Sequence, residues 1–274
     1  MTNAKFNFLN RTLAAGAVLA GALLASQSAL ACTLDNWSTS FGSVVAGDPL
    51  PPTSLPNQDA EVARYAGFCG MRVTGSGYVQ DNNPGGINRI VARFYVLNDL
   101  SAGQVAVIYA GYGDQAGGGE RFTVTLDDSG DITLADSANP GTPVEQTGSA
   151  TGWSSVEIDW AEGDSISLSV NGQSATVQNI GSASGSLSSV RLGNLGGATG
   201  ALNFDAYESR RSTAVGRLVA CNAQDSDNDV NILDALAVVN ELNEAGLSSG
   251  TPDCTENGTV DILDVLEIVN IINS

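Results

Sequence analysis

"WSSVEIDWAEGDSISLSVNGQ", residues 153–173, decides the fold of the larger part of this chain. Val156, Ile158 and Trp160 alternate with Ser155, Glu157 and Asp159, the period of a strand with one face buried and the other wet. After Gly163 and Asp164 the alternation resumes in SISLSV (165–170), and Asn171-Gly172 turns the chain again. The same pattern extends outward on both sides. RIVARFYVLND (89–99), QVAVIYAGYG (104–113), RFTVTLDD (121–128) and DITLAD (131–136) come before it, and QSATVQNI (173–180), SVRLGN (189–194) and ALNFDAYESR (201–210) follow. Short strands joined at Gly, Asn, Asp and Ser turns, with no helical period among them, predict a mainly β unit. The fold class expected is an antiparallel β-sandwich, a jelly roll, over residues 32–211. The stretch from 32 to about 60 is polar and carries GDPLPPTSLP (47–56), so it reads as a surface crossing without regular structure.

The N-terminal end sets the expected compartment. MTNAKFNFLNR carries Lys5 and Arg11, and the apolar run after it closes on Ala29-Leu30-Ala31, the pattern of a secretory signal peptide over 1–31. The expected mature chain starts at Cys32 and is secreted or held at the cell surface. A cysteine at the cut raises lipid attachment, against which Ala29 stands where a lipoprotein signal usually has Leu. The run lacks the length and the flank of a transmembrane span.

Thirty acidic residues face eleven basic ones, the net charge is −19, and there is no histidine. Such a surface repels nucleic acid and anionic membranes and suits divalent cations. The missing histidine also removes His-based triads and His-containing zinc sites. Four cysteines allow three pairings; their placement points to Cys32–Cys69 and Cys221–Cys254, one staple in each region.

Residues 212–220 read as a linker to a second unit, 221–274, which holds eleven acidic residues and no Lys or Arg. It consists of two repeats, "CNAQDSDNDVNILDALAVVNEL" and "TPDCTENGTVDILDVLEIVNII". Each repeat sets an oxygen-rich loop before an amphipathic helix. The stripes Leu233, Leu236, Val239, Leu242 and Leu263, Leu266, Val269, Ile272 are expected to bury against each other. A calcium loop of twelve residues takes oxygen from positions 1, 3, 5, 7, 9 and 12 and needs a left-handed residue at position 6. Counting back from Asp264, the second repeat supplies Asp253, Thr255, Asn257, Thr259 by its carbonyl, Asp261 and Asp264, with Gly258 at the sixth place. The first repeat fits two registers. Counted from Asp234 it begins at Ala223, which offers no ligand; a shortened register keeps Asp225, Asp227, Asp229, Asn231 and Asp234. Ca2+ is the cofactor expected.

On these loops and helices the region 221–274 resembles the type I dockerin domain, with duplicated "D-x-N-x-D-G-x-x-[ND]-x-x-D" motifs and a helix after each. The resemblance implies calcium at the residues above and an extracellular protein partner of cohesin-like kind. The family's partner-recognition pair would fall on Ile232-Leu233 and Ile262-Leu263, which are apolar here.

The larger unit resembles the laminin G-like and concanavalin-like lectin superfamily over about 60–211. WSSVEIDWAEGDSISLSVNGQ is similar to its hairpin and GALNFDAYESRR (200–211) to its closing strand. That superfamily includes sugar binders, protein binders and glycoside hydrolases, so a glycan is an expected ligand and the fold does not choose among these roles. Glu157, Asp159 and Glu162 also fit "E-x-D-x-x-E", similar to the carboxylate set of jelly-roll glycoside hydrolases such as laminarinases and lichenases. The resemblance gives Glu157 as nucleophile, Asp159 as helper and Glu162 as acid/base. Glu162 joins the other two on one face only through a bulge, and Gly163-Asp164 instead reads as a hairpin tip with Glu162 facing solvent. Glycan binding at Tyr109, Tyr112, Asp114, Asp205 and Tyr207 is the main expectation. Hydrolysis and a purely structural or adhesive role are the alternatives.

Overall fold

The computed structural model describes residues 32–47, 62–179, 181–224 and 229–274. The leader, the proline cluster and the first-loop residues Asp225 and Asp227 lie outside the described residues. Twelve strands are present among those described: β1 (Thr39–Gly47), β2 (Gly70–Asp81), β3 (Arg89–Leu100), β4 (Val105–Tyr112), β5 (Glu120–Asp127), β6 (Asp131–Asp136), β7 (Val144–Thr147), β8 (Trp153–Ala161), β9 (Ser165–Val170), β10 (Thr176–Asn179), β11 (Ser189–Asn194) and β12 (Gly200–Arg210). Two helices follow, α1 (Ile232–Leu242) and α2 (Ile262–Ile272). No helix among the described residues is long and apolar enough to cross a membrane.

The quoted stretch forms the β8–β9 hairpin, with Val156 opposite Val170, Ile158 opposite Leu168 and Trp160 opposite Ile166. All six side chains are buried, while Glu157 and Asp159 sit on the other face. Antiparallel pairing continues across the sheet in the order β10-β9-β8-β3-β12-β2-β11-β4-β5-β6-β7, and β1 adds to β2 off that path. The sheet rolls until its ends meet. Gln146 of β7 donates to Ser174 O and Thr176 Oγ1, both at 3.0 Å, and accepts from Val170 N at 2.7 Å. One amide side chain thus stitches the two edges and satisfies backbone groups that an open edge would expose. The chain is mainly β, a jelly-roll-like antiparallel sandwich followed by a two-helix module. The core lies between the faces, from Phe94 and Phe204 through Tyr109 and Phe122 to Trp160. The indole Nε1 of Trp160 donates to buried Asp136 at 3.0 Å.

Two strands correct the sequence reading. Residues 39–47, expected to be an irregular crossing, form β1, and Gly70–Asp81 is a long central strand. β1 is exposed on nearly every residue, so no apolar alternation marks it. Its pairing with β2 depends on glycine: at Gly42 (φ 74°) a Cβ would lie 2.2 Å from Ser76 O.

The C-terminal module has a small core of Ala223, Ala235, Val238 and Ile268 beside the Cys221–Cys254 disulfide. A second disulfide joins Cys32 to Cys69. The helices do not meet along the expected leucine stripes. α1 buries Asp234, Ala235, Val238 and Glu241, and α2 buries Asp264 and Ile268. Asp234 and Asp264 point inward because each closes the capping box of its own helix. That fixes the rotation of both helices and turns the leucines outward.

The module packs on the sandwich through a second aromatic cluster, Tyr65 stacked on Tyr95 at 3.8 Å with the edge of Trp153 against them. Arg64 and Glu241 form an ion pair at 2.5 Å with side chains 1% and 7% exposed. Glu256 accepts from Tyr65 Oη at 2.8 Å, pairs with Arg217, and receives Trp153 N on its carbonyl at 2.8 Å. Gly67 N donates to Gly250 O at 3.0 Å.

Candidate functional site

The second loop starts from Asp253 and ends at Asp264, both buried. Asp253 accepts from Asn257 N at 3.1 Å and Gly258 N at 2.7 Å, so the loop wraps around its first carboxylate. Asp264 accepts from Thr255 N at 2.9 Å and Thr255 Oγ1 at 3.0 Å with one oxygen, and from Asp261 N at 2.7 Å with the other. Thr255 Oγ1 also lies 3.5 Å from Asp253 Oδ1, so the hydroxyl sits between the two carboxylates. Burial pushes Asp253 up to about 7, the backbone bond from Gly258 opposes the rise, and the charge of Asp264 adds to it. A buried carboxylate pair in a module without Lys or Arg is short of positive charge. The remaining expected ligands are engaged locally. Asn257 Oδ1 accepts from Thr259 N and Oγ1 at 2.8 and 2.6 Å, and Asp261 Oδ1 caps α2 through Leu263 N at 2.6 Å. Among the described residues no three Cys, Asp or Glu side chains converge as a metal-holding group. The donor set that is gathered is all oxygen, which matches a hard cation.

The first loop keeps the closing half of this arrangement. Asp234 accepts from Gln224 N at 2.9 Å and Asn231 N at 2.8 Å, and Asn231 caps α1 through Leu233 N at 2.8 Å. Its opening differs: counted twelve back from Asp234 it begins at fully buried Ala223, while Asn222 stands two residues before Gln224 as Asp253 stands before Thr255. Asp229 and Asn231 are joined by Asn231 Nδ2 donating to Asp229 O at 3.3 Å.

Turned outward, each helix exposes an apolar trio. Ile232, Leu233 and Leu236 are 59, 48 and 50% exposed on α1, and Ile262, Leu263 and Leu266 are 58, 52 and 57% exposed on α2. The two trios occupy equivalent places in the repeats.

On the sandwich, the E-x-D-x-x-E carboxylates are separately engaged. Glu157 accepts from Val215 N and Gly216 N at 2.9 and 2.6 Å. Asp159 forms a two-point pair with Arg89, at 2.9 and 2.5 Å. Glu162 lies past the end of β8, half-buried, and accepts from Gly185 N at 2.5 Å, so the solvent-facing position expected for it is corrected. Of the expected contact residues, Tyr109 is core and its hydroxyl meets that of Tyr207 at 3.1 Å. Tyr112 lies under the Arg191 guanidinium at 4.7 Å, and Asp114 closes its own loop by accepting from Gly118 N at 2.8 Å. Asp205 accepts from Tyr65 N, Ala66 N and Ala206 N, and burial raises its carboxyl to about 6 against the pull of those bonds.

Sequence reasoning missed Trp37. It packs on Tyr207 at 4.9 Å between ring centres, tilted by 47°, at a cavity of about 350 Å³ bounded by the 33–37 segment, β2, β11 and β12. A lone tryptophan in a polar segment between Asn36 and Ser38 was the available signal. Phe41, 62% exposed, stacks on Tyr78 at 5.4 Å on β1 and β2.

No family model matches the chain, and no curated protein matches it. Among solved structures it is similar to the botulinum neurotoxin type G receptor binding domain, at 10% identity and a TM-score of 0.43 over 64% of this chain and 43% of that one. It is also similar to the cellulose induced protein Cip1, at 14% identity and 0.46 over 64% and 89%. The botulinum neurotoxin serotype D ligand binding domain in complex with N-acetylneuraminic acid gives 13% and 0.41 over 75% and 52%. The chain spans less than half the length of the type G domain it matches. Likeness at this distance carries no information on what the chain binds.

Proposed function

We propose that this is an exported docking protein. Its C-terminal module binds Ca2+ and attaches to an extracellular protein of cohesin-like kind, and its sandwich carries a carbohydrate-binding function. The observation that carries the reading is the arrangement of the two repeats. Each has a buried carboxylate closing its loop, and each presents an apolar trio to solvent at the start of its helix. Calcium in the second loop would be held by Asp253, Thr255, Asn257, Thr259, Asp261 and Asp264. In the first loop Asp229, Asn231 and Asp234 contribute from the described part, with Asp225 and Asp227 from the rest. The cation supplies the positive charge that the module lacks, and so couples its binding to the module's folding. Aromatic rings at the sandwich surface, half-buried Trp37 beside Tyr207 and exposed Phe41 over Tyr78, favour the glycan reading of the sandwich over hydrolysis. Glu157, Asp159 and Glu162 are each held by a separate partner.

Calorimetric titration of the disulfide-intact chain with CaCl2, beside melting in calcium and in chelator, tests the metal. Saturable heat and a higher melting temperature in calcium are expected; identical melting curves with no heat would refute the calcium half of the proposal.

A further inference from the structure

We propose that the cavity beside the packed rings of Trp37 and Tyr207 is a binding site for the terminal ring of a neutral saccharide. The inference rests on the glycan reading of the sandwich and gives that reading a place. Its floor is apolar, built by Leu34, Met71, Leu192 and Phe204. Its rim carries two aromatic rings with the Asn36 amide and the Asp81 carboxylate. A pyranose has the same division, an apolar C–H face and a polar edge of hydroxyls, so the ring face suits indole and phenol while the edge suits amide and carboxylate. The volume, about 350 Å³, lies near the lower end of small-ligand pockets.

The rim is built in advance. The Cys32–Cys69 disulfide anchors one end of the 33–37 segment, and Cys69 itself lines the cavity. The other end is fixed where Ser38 N donates to Gln80 O at 2.8 Å and Ser38 Oγ accepts from Asn82 N at 2.9 Å. Trp37 N donates to Leu34 O at 2.9 Å and closes the turn between those anchors. Asp81 Oδ1 accepts from Asn83 N at 2.8 Å, which orients the carboxylate. The Tyr207 hydroxyl is positioned by that of Tyr109. Ordering costs are therefore met before a ligand arrives. Asp205 also borders the cavity, but its oxygens are taken by three backbone donors, so it shapes the wall without serving the ligand.

Charge selects among sugars. Asp81 at the rim and a net charge of −19 disfavour an acidic saccharide. A cationic ligand is disfavoured because Trp37 and Tyr207 pack on each other instead of opening as a cage.

The chain contains a convenient reporter. Of its three tryptophans, Trp153 and Trp160 are buried at 1 and 0% exposure and Trp37 is partly open. A ligand-induced shift in tryptophan emission therefore reads Trp37. The probes are cellohexaose, laminarihexaose, xylohexaose and mannohexaose, titrated into the full disulfide-bonded protein with emission and calorimetry followed together. At least one is expected to bind saturably and shift the emission. Trp37→Ala should weaken that binding 10-fold or more, and Asp81→Asn should weaken it less. Trp37→Phe, which keeps an aromatic face, should retain most of the affinity and lose the emission signal. Saturable heat that Trp37→Ala does not alter would overturn the site while leaving the sandwich a glycan binder. The absence of heat with all four probes would overturn the site together with the neutral-glycan reading.

Discussion

In the first repeat of the C-terminal module Asn231 caps α1 and Asp234 closes the box behind it; in the second, Asp261 and Asp264 do the same for α2. The loops part at their beginnings. Ala223, the first of twelve residues counted back from Asp234, puts a methyl group into the small core; Asp253, the first of twelve counted back from Asp264, buries a carboxylate. They also part in how they hold the sandwich. The first repeat contributes Glu241 to a buried pair with Arg64, and the second contributes Glu256 to a partly exposed pair with Arg217. Duplication preserved what makes a helix start and let the loop chemistry diverge. The first loop is built on an apolar base and the second around an uncompensated charge.

The largest expected effect breaks the comparison at the interface. Arg64→Ala leaves Glu241 buried without its cation and should lower unfolding stability by about 3–5 kcal/mol in urea denaturation. Arg217→Ala faces solvent on a pair whose side chains are 31 and 24% exposed, and Tyr65 Oη still donates to Glu256. Its cost should stay below about 1 kcal/mol. Equal losses in the two variants would mean that water reaches Glu241 as freely as Glu256.

Next come the loop bases themselves, under the proposed calcium reading. Asp253→Ala gives the second loop the first loop's base and should weaken its calcium affinity by about 100-fold, near 2.7 kcal/mol, in a calorimetric titration. The reverse change, Ala223→Asp, buries a new carboxylate. It should destabilise the chain in chelator by about 1–3 kcal/mol and regain part of that in calcium. A calcium response untouched by Asp253→Ala would place the cation elsewhere.

What the sequence allowed to be read follows the same physics. The 153–173 hairpin was legible because Val156, Ile158 and Trp160 are apolar on one face and the turn residues stand where the chain reverses. β1 was not, because an exposed strand paired through glycines carries no alternation. Both helices were legible as helices, yet their faces were misassigned. Leucine stripes mark a buried face only when nothing else fixes the rotation, and here Asp234 and Asp264, as capping residues, turned inward. Part of the candidate sites was likewise beyond sequence. The second loop's spacing was visible, whereas the cavity at Trp37 joins residues from Thr33 to Tyr207 that only the rolled sheet brings together.

Smaller differences should appear at the caps. Asn231→Ala and Asp261→Ala each remove a side-chain acceptor for a helix N–H, worth about 1 kcal/mol. In chelator the two losses should match. In calcium the Asp261 variant should fall further behind, since on the proposed reading it loses a charged ligand, whereas Asn231→Ala loses a neutral one. Matching losses in both conditions would assign Asp261 to the cap alone.

The smallest expected effect sharpens the helix-face comparison. Leu236 and Leu266 are 50 and 57% exposed, whereas Val238 and Ile268 are fully buried. Replacing a half-exposed leucine removes little packing, so Leu236→Gln and Leu266→Gln should each leave the melting free energy within about 0.5 kcal/mol of the parent. Ile268→Ala, which opens a cavity in a small core, should cost about 2–5 kcal/mol. If the leucines served the module's own core, the two classes would cost alike. A near-zero cost means that the chain keeps large apolar side chains on this face without gaining its own stability from them. The trios are then free to be covered by a second protein, as the proposed docking role requires.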